Sequence, residues 1–132
     1  MTRIMTEDIR EHGEVTQGPM KGKPLMLLTT IGRKTGEKRT SIITYSRDGD
    51  AYAIAASKGG APTHPAWYHN LVAKPEVTVE TGGETFIASA TVADAAKRDE
   101  LWDRHVALLP EFGEYPKKTD RVIPMILLER VG

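Results

Sequence analysis

Hydrophobic residues in this chain fall in short runs separated by turn residues, a pattern of strands more than of long helices. Residues 25–31 form the first apolar run. A second, about 40–47, meets Asp48-Gly49, a strong signal for a tight hairpin, and 51–56 reads as the returning strand. Residues 76–81 alternate, with Val77 and Val79 on one face and Thr78 and Glu80 on the other. After Gly82-Gly83, residues 85–92 return with Phe86, Ala88, Ala90 and Val92 inward. Residues 122–130 are apolar on both faces, which predicts a strand inside a sheet. Two helices interrupt the strands. His64-Pro65 opens one, with Trp67 and Leu71 a turn apart and Pro75 ending it. Asp94 caps the other, from Ala95 to about Leu109, with Leu101, Trp102, His105, Leu108 and Leu109 near one stripe and Pro110 as its stop. Phe112, Gly113, Tyr115 and Pro116 then fall in a loop.

Six strands joined mainly by tight hairpins, with helices inserted, predict an α+β chain that is mainly β, built as an antiparallel barrel carrying helices. With 132 residues it is large enough for one real core. Residues 1–22 are polar and broken by Gly13, Gly18, Pro19 and Gly22. They read as a flexible lead, with a short helix at 7–12 as the one structured candidate, ahead of a barrel over 23–132. There is no cysteine, which removes disulfides, thiolate nucleophiles and zinc–sulfur sites together. No hydrophobic lead is present, and no apolar run approaches the roughly 20 residues a membrane span needs. The expectation is a cytoplasmic protein with, at most, peripheral membrane contact.

Charge changes the picture locally. The chain carries 18 basic and 18 acidic residues, yet residues 21–40 hold six bases against one acid. Those cations cluster around Thr29-Thr30-Ile31-Gly32-Arg33-Lys34-Thr35-Gly36, followed by Lys38, Arg39 and Thr40. Glycines let backbone N–H groups approach a ligand, and clustered cations favour an anion such as a phosphate. A neutral chain with one basic loop suits a small anionic ligand rather than nucleic acid, whose footprint would be far larger. Arg33 and Arg39 can fork onto phosphate oxygens, while Lys34 attracts as a point charge. The plain alternative is a solvated hairpin. Ser57-Lys58-Gly59-Gly60 is either an ordinary strand-to-helix connection or a cradle for a flat ring. Trp67 is either a core anchor or a stacking platform. His64 and His69 sit five apart, poor spacing for two ligands on one helical face, so no metal site is expected. His12 and His105 have no evident partner. No nucleophile–base pair is visible, so an enzyme of this sequence would rely on a cofactor for its chemistry.

Three blocks, LLTTIGRKTGEKRT, YAIAASKGGAPTHPAWYHNLVAKPEVTVE and KKTDRVIPMILLE, occur in that order between about 23 and 130. Together they resemble the deazaflavin-dependent nitroreductase family, oxidoreductases with an FMN-binding split β-barrel fold that use coenzyme F420, an 8-hydroxy-5-deazaflavin with a phosphodiester and an oligoglutamate tail. The resemblance implies that Arg33, Lys34, Thr35, Gly36 and Arg39 hold the phosphate and tail, with Thr40 at the edge. It implies that Ala56, Ser57, Lys58, Gly59 and Gly60 line the ring and that Pro65, Trp67, Tyr68 and Asn70 complete its pocket. The implied reaction is hydride transfer from the reduced deazaflavin C5 to a small-molecule acceptor: an enone, a quinone or a nitro compound. Ser57 and Tyr115 are the implied catalytic hydrogen-bond donors, and Leu109, Phe112 and Tyr115 the implied substrate pocket. Relatives often carry tyrosines in this segment before the Thr119-Asp120-Arg121 motif; here only Tyr115 keeps a hydroxyl. The competing readings are an FMN-dependent split-barrel oxidoreductase and a non-catalytic F420-binding or storage protein. Barrels of this superfamily often pair, so the expected state is a monomer or a homodimer.

Overall fold

The computed structural model describes residues 2–16, 18 and 20–131, with Thr2, Arg3, Ile4 and Gly59 described by backbone alone. Seven strands among the described residues form one antiparallel sheet: β1 (Leu25–Ile31), β2 (Lys38–Thr44), β3 (Ser46–Asp48), β4 (Ala51–Ala55), β5 (Glu76–Thr81), β6 (Glu84–Val92) and β7 (Met125–Arg130). Their order is β2-β1-β5-β6-β7-β4-β3. The two edge strands are consecutive parts of one stretch that bends at Tyr45. β2 pairs with β1 along its whole length, whereas β3 pairs with β4. Tyr45 leaves the ladder and donates its N–H to the Pro24 carbonyl at 2.9 Å. The sheet thus curls until its edges share one piece of backbone, which is the predicted split barrel. The seventh strand is the predicted second one divided by this bend.

Period-2 alternation sorts the side chains. Met26, Leu28, Ile54, Ala56, Val77, Val79, Phe86, Ala88, Ile126 and Leu128 fill the barrel, joined by Leu71 from α2 (Ala66–Ala73). On the outer face, Ala53, Ala55 and Met125 pack against Leu101 and Leu109, at α3 (Ala95–Leu108) and just past it, and against Phe112 of a 3-10 helix, Pro110–Lys117. The loop expected after Pro110 is therefore helical. Asp94 caps α3 as predicted, accepting the Lys97 N–H at 2.9 Å. β7 lies between β6 and β4, as its two apolar faces require.

The helix of the lead is longer than the expected 7–12. Helix α1 (Thr2–His12) covers the outer face of β1, where Ile9 and Val15 bury against Leu25 and Leu27. Four consecutive apolar residues in β1 leave one pair facing outward, and that pair needs a cover. Arg10 reaches Glu80 at 3.1 Å, and Asp8 accepts from the Thr16 N–H and hydroxyl. Within the described part of residues 1–22, Ile9 and Val15 pack onto the sheet, with Met5 and Met20 against them, and Pro19 lies outside the described residues. The first hairpin turns at Gly49-Asp50, since Asp48 still pairs with Ala51. Val92 and Leu108 are exposed because each ends its element beyond the packed surface, and Val122 is 71% exposed because β7 starts only after Pro124.

His105, for which the sequence suggests no partner, is fully buried on α3. Its Nδ1 lies 2.8 Å from Ser46 Oγ, its Nε2 has no hydrogen-bond partner among the described residues, and its ring meets Phe112 edge-on at 4.5 Å. Burial pushes its pKa down to about 4. The folded state then binds the proton less tightly than the unfolded chain. Its stability is complete above about pH 6.5 and declines as pH falls toward 4, by roughly 3 kcal/mol. Urea unfolding at pH 7, 6 and 5 should show about 2 kcal/mol of this loss, above the range in which carboxylates titrate. The Ser46→Ala/His105→Leu pair should remove most of the slope; an unchanged slope would assign it elsewhere.

Candidate active site

Strand β1 runs into a loop whose own hydrogen bonds close it. Gly32 N–H donates to the Glu37 carbonyl at 2.7 Å, Gly36 N–H to the Gly32 carbonyl at 2.8 Å, and Glu37 N–H to Thr35 Oγ1 at 3.2 Å. A Cβ on Gly32 would stand 2.7 Å from Thr35 Oγ1, so a side chain there would push Thr35 off its bond to the Glu37 N–H. Asn70 of α2, 7% exposed, then fastens the loop to the helix. It accepts the Arg33 N–H at 3.1 Å and donates to Thr30 Oγ1 at 3.2 Å. Thr29 and Thr40 bridge β1 and β2 through their hydroxyls at 2.8 Å.

Held by these bonds, the loop presents its cations to solvent. Arg33, Lys34 and Lys38 are exposed, and among the described residues their side chains have no ion-pair or hydrogen-bond partner. Arg39 differs, pairing with Glu37 at 3.0 Å. The cations rim a cavity of about 640 Å³, which Thr35, Thr40, Ser41, Ala66, Trp67 and Asn70 also line. A second cavity of about 330 Å³ is more apolar, bounded by Ile43, Ala55, Pro65, Trp67 and Phe112 with Ser57 and Lys58. Ser41 and Trp67 line both. Together they form the candidate cleft, a cationic well beside an apolar slot at the barrel's split. Trp67 serves as wall and anchor, since it also packs on the barrel core.

The segment after β4 is held from behind. Arg121 donates from Nε to the Ala61 carbonyl at 2.8 Å, from Nη1 to the Ala56 carbonyl at 3.1 Å and from Nη2 to the Ser57 carbonyl at 2.7 Å. Nη1 also donates to His64 Nδ1 at 2.8 Å, so this nitrogen is unprotonated. Burial, then the charge of Arg121 and His69, holds the His64 pKa below its usual value. Lys58 has φ +46° and Gly60 φ +84°. A Cβ on Gly60 would lie 3.1 Å from the Tyr115 carbonyl and 3.0 Å from Lys118 Cβ. Gly60 thus lets the segment dock on the 3-10 helix. Sequence reasoning missed Arg121, whose only signal was its place in the third block, and missed Ser41.

Other expected residues are placed differently. Ala56 is fully buried and faces the barrel interior, because alternation along β4 turns Ala55 to the cleft instead. Leu109 is 2% exposed and packs among the residues outside β4 and β7, since α3 ends one residue earlier with this side chain turned inward. Tyr68 packs on the His64 ring at 4.6 Å. Tyr115 meets Phe112 edge-on at 5.0 Å, with the Lys118 ammonium 5.8 Å from its ring. Leu109, Tyr68, Tyr115 and Gly36 do not line the two described cavities; Phe112 does. Gly59 is placed by its backbone alone, in the turn Lys58–Gly60. Among the described residues no group of three His, Cys, Asp or Glu side chains could hold a metal ion.

The profile of the F420H(2)-dependent quinone reductases matches residues 1–130. The chain belongs to this family. The F420H(2)-dependent quinone reductase Rv1261c of Mycobacterium tuberculosis is 41% identical over 112 residues, covering 81% of this chain and 74% of that protein. Among solved structures, an F420-H2 dependent reductase (FDR-A) is 38% identical with a TM-score of 0.74, over 80% of this chain and 94% of that one. A chain described as a domain-swapped dimer is 36% identical with a TM-score of 0.77, over 97% and 96%. The two solved structures share this fold, and the family agrees with the resemblance carried by the three sequence blocks.

Two glycines in this family member separate backbone strain from packing. Gly36→Ala meets open space and only a positive φ of +74°, so about 1 kcal/mol of stability should be lost. Gly60→Ala adds a collision with backbone and should cost about 2 kcal/mol or more. Urea unfolding of both variants measures the difference, and equal losses would show that the docking contact yields freely.

Proposed function

We propose that this protein is an oxidoreductase that passes a hydride from reduced coenzyme F420 to a quinone-type acceptor, with enones and nitro compounds as further candidates. The observation that carries this reading is the loop that offers Arg33, Lys34 and Lys38, without side-chain partners among the described residues, to a well beside an apolar slot. The donor set fits the cofactor, because several separate cations suit a phosphodiester followed by a glutamate tail. Arg33, Lys34, Thr35, Lys38 and Arg39 would hold that anionic part, with Gly36 shaping the loop, Thr40 at its edge and Asn70 fixing its position. Pro65, Trp67, Ser57, Lys58 and the turn at Gly59-Gly60 would enclose the ring. Bound there, reduced F420 supplies a hydride from C5 of its deazaflavin.

The chain's contribution is placement and exclusion of water. Phe112, Ile43 and Pro65 give an acceptor a dry surface, which strengthens any hydrogen bond to its oxygen. Ser57 borders that slot, and we assign it the donor role; Tyr115 stands behind Phe112 and supports it. FMN, with a single terminal phosphate, would answer fewer of these cations. A storage protein would not need the slot beside the well. A homodimer is favoured by the related domain-swapped dimer. Among the described residues no helix is long and apolar enough to cross a membrane. A cytoplasmic location, with surface contact when the quinone is lipid-borne, belongs to the same reading.

Titration of the protein with F420 and with FMN, read by fluorescence quenching, tests the cofactor assignment directly; tighter binding of FMN would refute it. Arg33→Ala and Lys34→Ala should each weaken F420 roughly fivefold at low salt and less at high salt. Arg39→Ala should matter less, because Glu37 already offsets its charge. Ser57→Ala should lower kcat for a quinone by about tenfold or more with F420 affinity nearly unchanged. Wild-type turnover would return Ser57 to a packing role.

A further inference from the structure

We infer that Arg121 is a positioning residue for this reaction: its guanidinium sets the shape of residues 56–61 from behind the cleft and locks them to the start of α2 through His64. Arg121 lines neither described cavity of the cleft. The carbonyls of Ala56, Ser57 and Ala61 nevertheless converge on it at 3.1, 2.7 and 2.8 Å. Carbonyl dipoles pointing at one spot repel each other unless a donor sits among them, and a planar fork of N–H groups matches that arrangement. Among the described residues no carboxylate pairs with this guanidinium, so its charge is met by carbonyl dipoles and an imidazole.

The consequence lies on the opposite edge of the segment. With the carbonyls held by Arg121, Ser57 and Lys58 line the slot. Lys58 keeps a left-handed φ of +46°, a strained state for a side-chain-bearing residue that its surroundings must maintain. His64 completes the lock. Its Nδ1 accepts from Arg121 while its position just before Pro65, the N-cap of α2, ties the loop to the helix carrying Trp67 and Asn70. Arg121 therefore aligns the two walls of the cleft without touching what binds in it. A lysine could keep the charge but could not present N–H groups to three carbonyls at once.

The inference rests on the proposed cofactor reading only for its affinity arm, and the test separates the two. The full-length variants are Arg121→Lys, His64→Gln, whose amide oxygen can still accept from Arg121, and His64→Leu, which cannot. Hydrogen exchange is followed without cofactor at the Gly60 and Ala61 amides, which donate to Ser57 and Lys58 at 3.0 and 3.1 Å. In Arg121→Lys and His64→Leu these amides should exchange on the order of tenfold faster while the barrel amides and the unfolding transition are retained. F420 affinity and kcat should then fall roughly tenfold, with the quinone KM moving much less, and His64→Gln should restore most of both. Wild-type exchange at Gly60 and Ala61 in Arg121→Lys would overturn the inference. So would equal damage from His64→Gln and His64→Leu, or loss of the whole unfolding transition in Arg121→Lys, which would make the residue a support of the fold. If wild-type protein binds no F420 but the exchange pattern holds, the cofactor reading fails and the clamp stands.

Discussion

The fold depends on one stretch of backbone pairing in two directions. Residues 38–44 complete their hydrogen bonds with β1 and residues 46–48 with β4, so the sheet has to curl. Curling joins the two edges at a bend, and the bend leaves a split in the wall. The cleft sits in that split, with β2 on one side and the end of β4 on the other. An open sheet would leave both edges free to pair with other chains; sharing one strand between them removes much of that hazard.

The cleft then works by division of labour. Charge is concentrated in a loop closed by its own hydrogen bonds and pinned by Asn70. Elsewhere charges largely cancel: Asp48 meets Lys97 at 2.9 Å and Arg104 at 2.7 Å, fastening α3 to β3. The net neutrality of the chain thus hides a local field, which a preorganised loop can apply to a ligand with little reorganisation. Arg121 provides the matching rigidity on the other wall, so that well and slot keep one spatial relation.

Much of this is legible in the order of residues. The alternation of Val77, Val79, Phe86, Ala88 and Ala90 and the Gly82-Gly83 turn appear in the fold as their pattern predicts. So do the Asp94 cap and the buried β7. The basic loop is legible too, since glycine and cation spacing is a local property. The positions of Leu109 and Ala56 are not, because burial within a stripe or strand depends on where an element ends and which face its neighbours cover. The packing of the lead is hidden as well, because its polar composition conceals the buried pair Ile9 and Val15.

The amino-acid order alone determined most of the strands, the glycine-rich basic loop and the family, because each rests on residues close together along the chain or on blocks that match in sequence. Tertiary structure decided which residues share the cleft. Ser41 and Phe112 come from different strands and helices, and Arg121 meets carbonyls some 60 residues away. Contacts of that range are set by how a curled sheet closes, and no local pattern of side chains encodes where its edges meet.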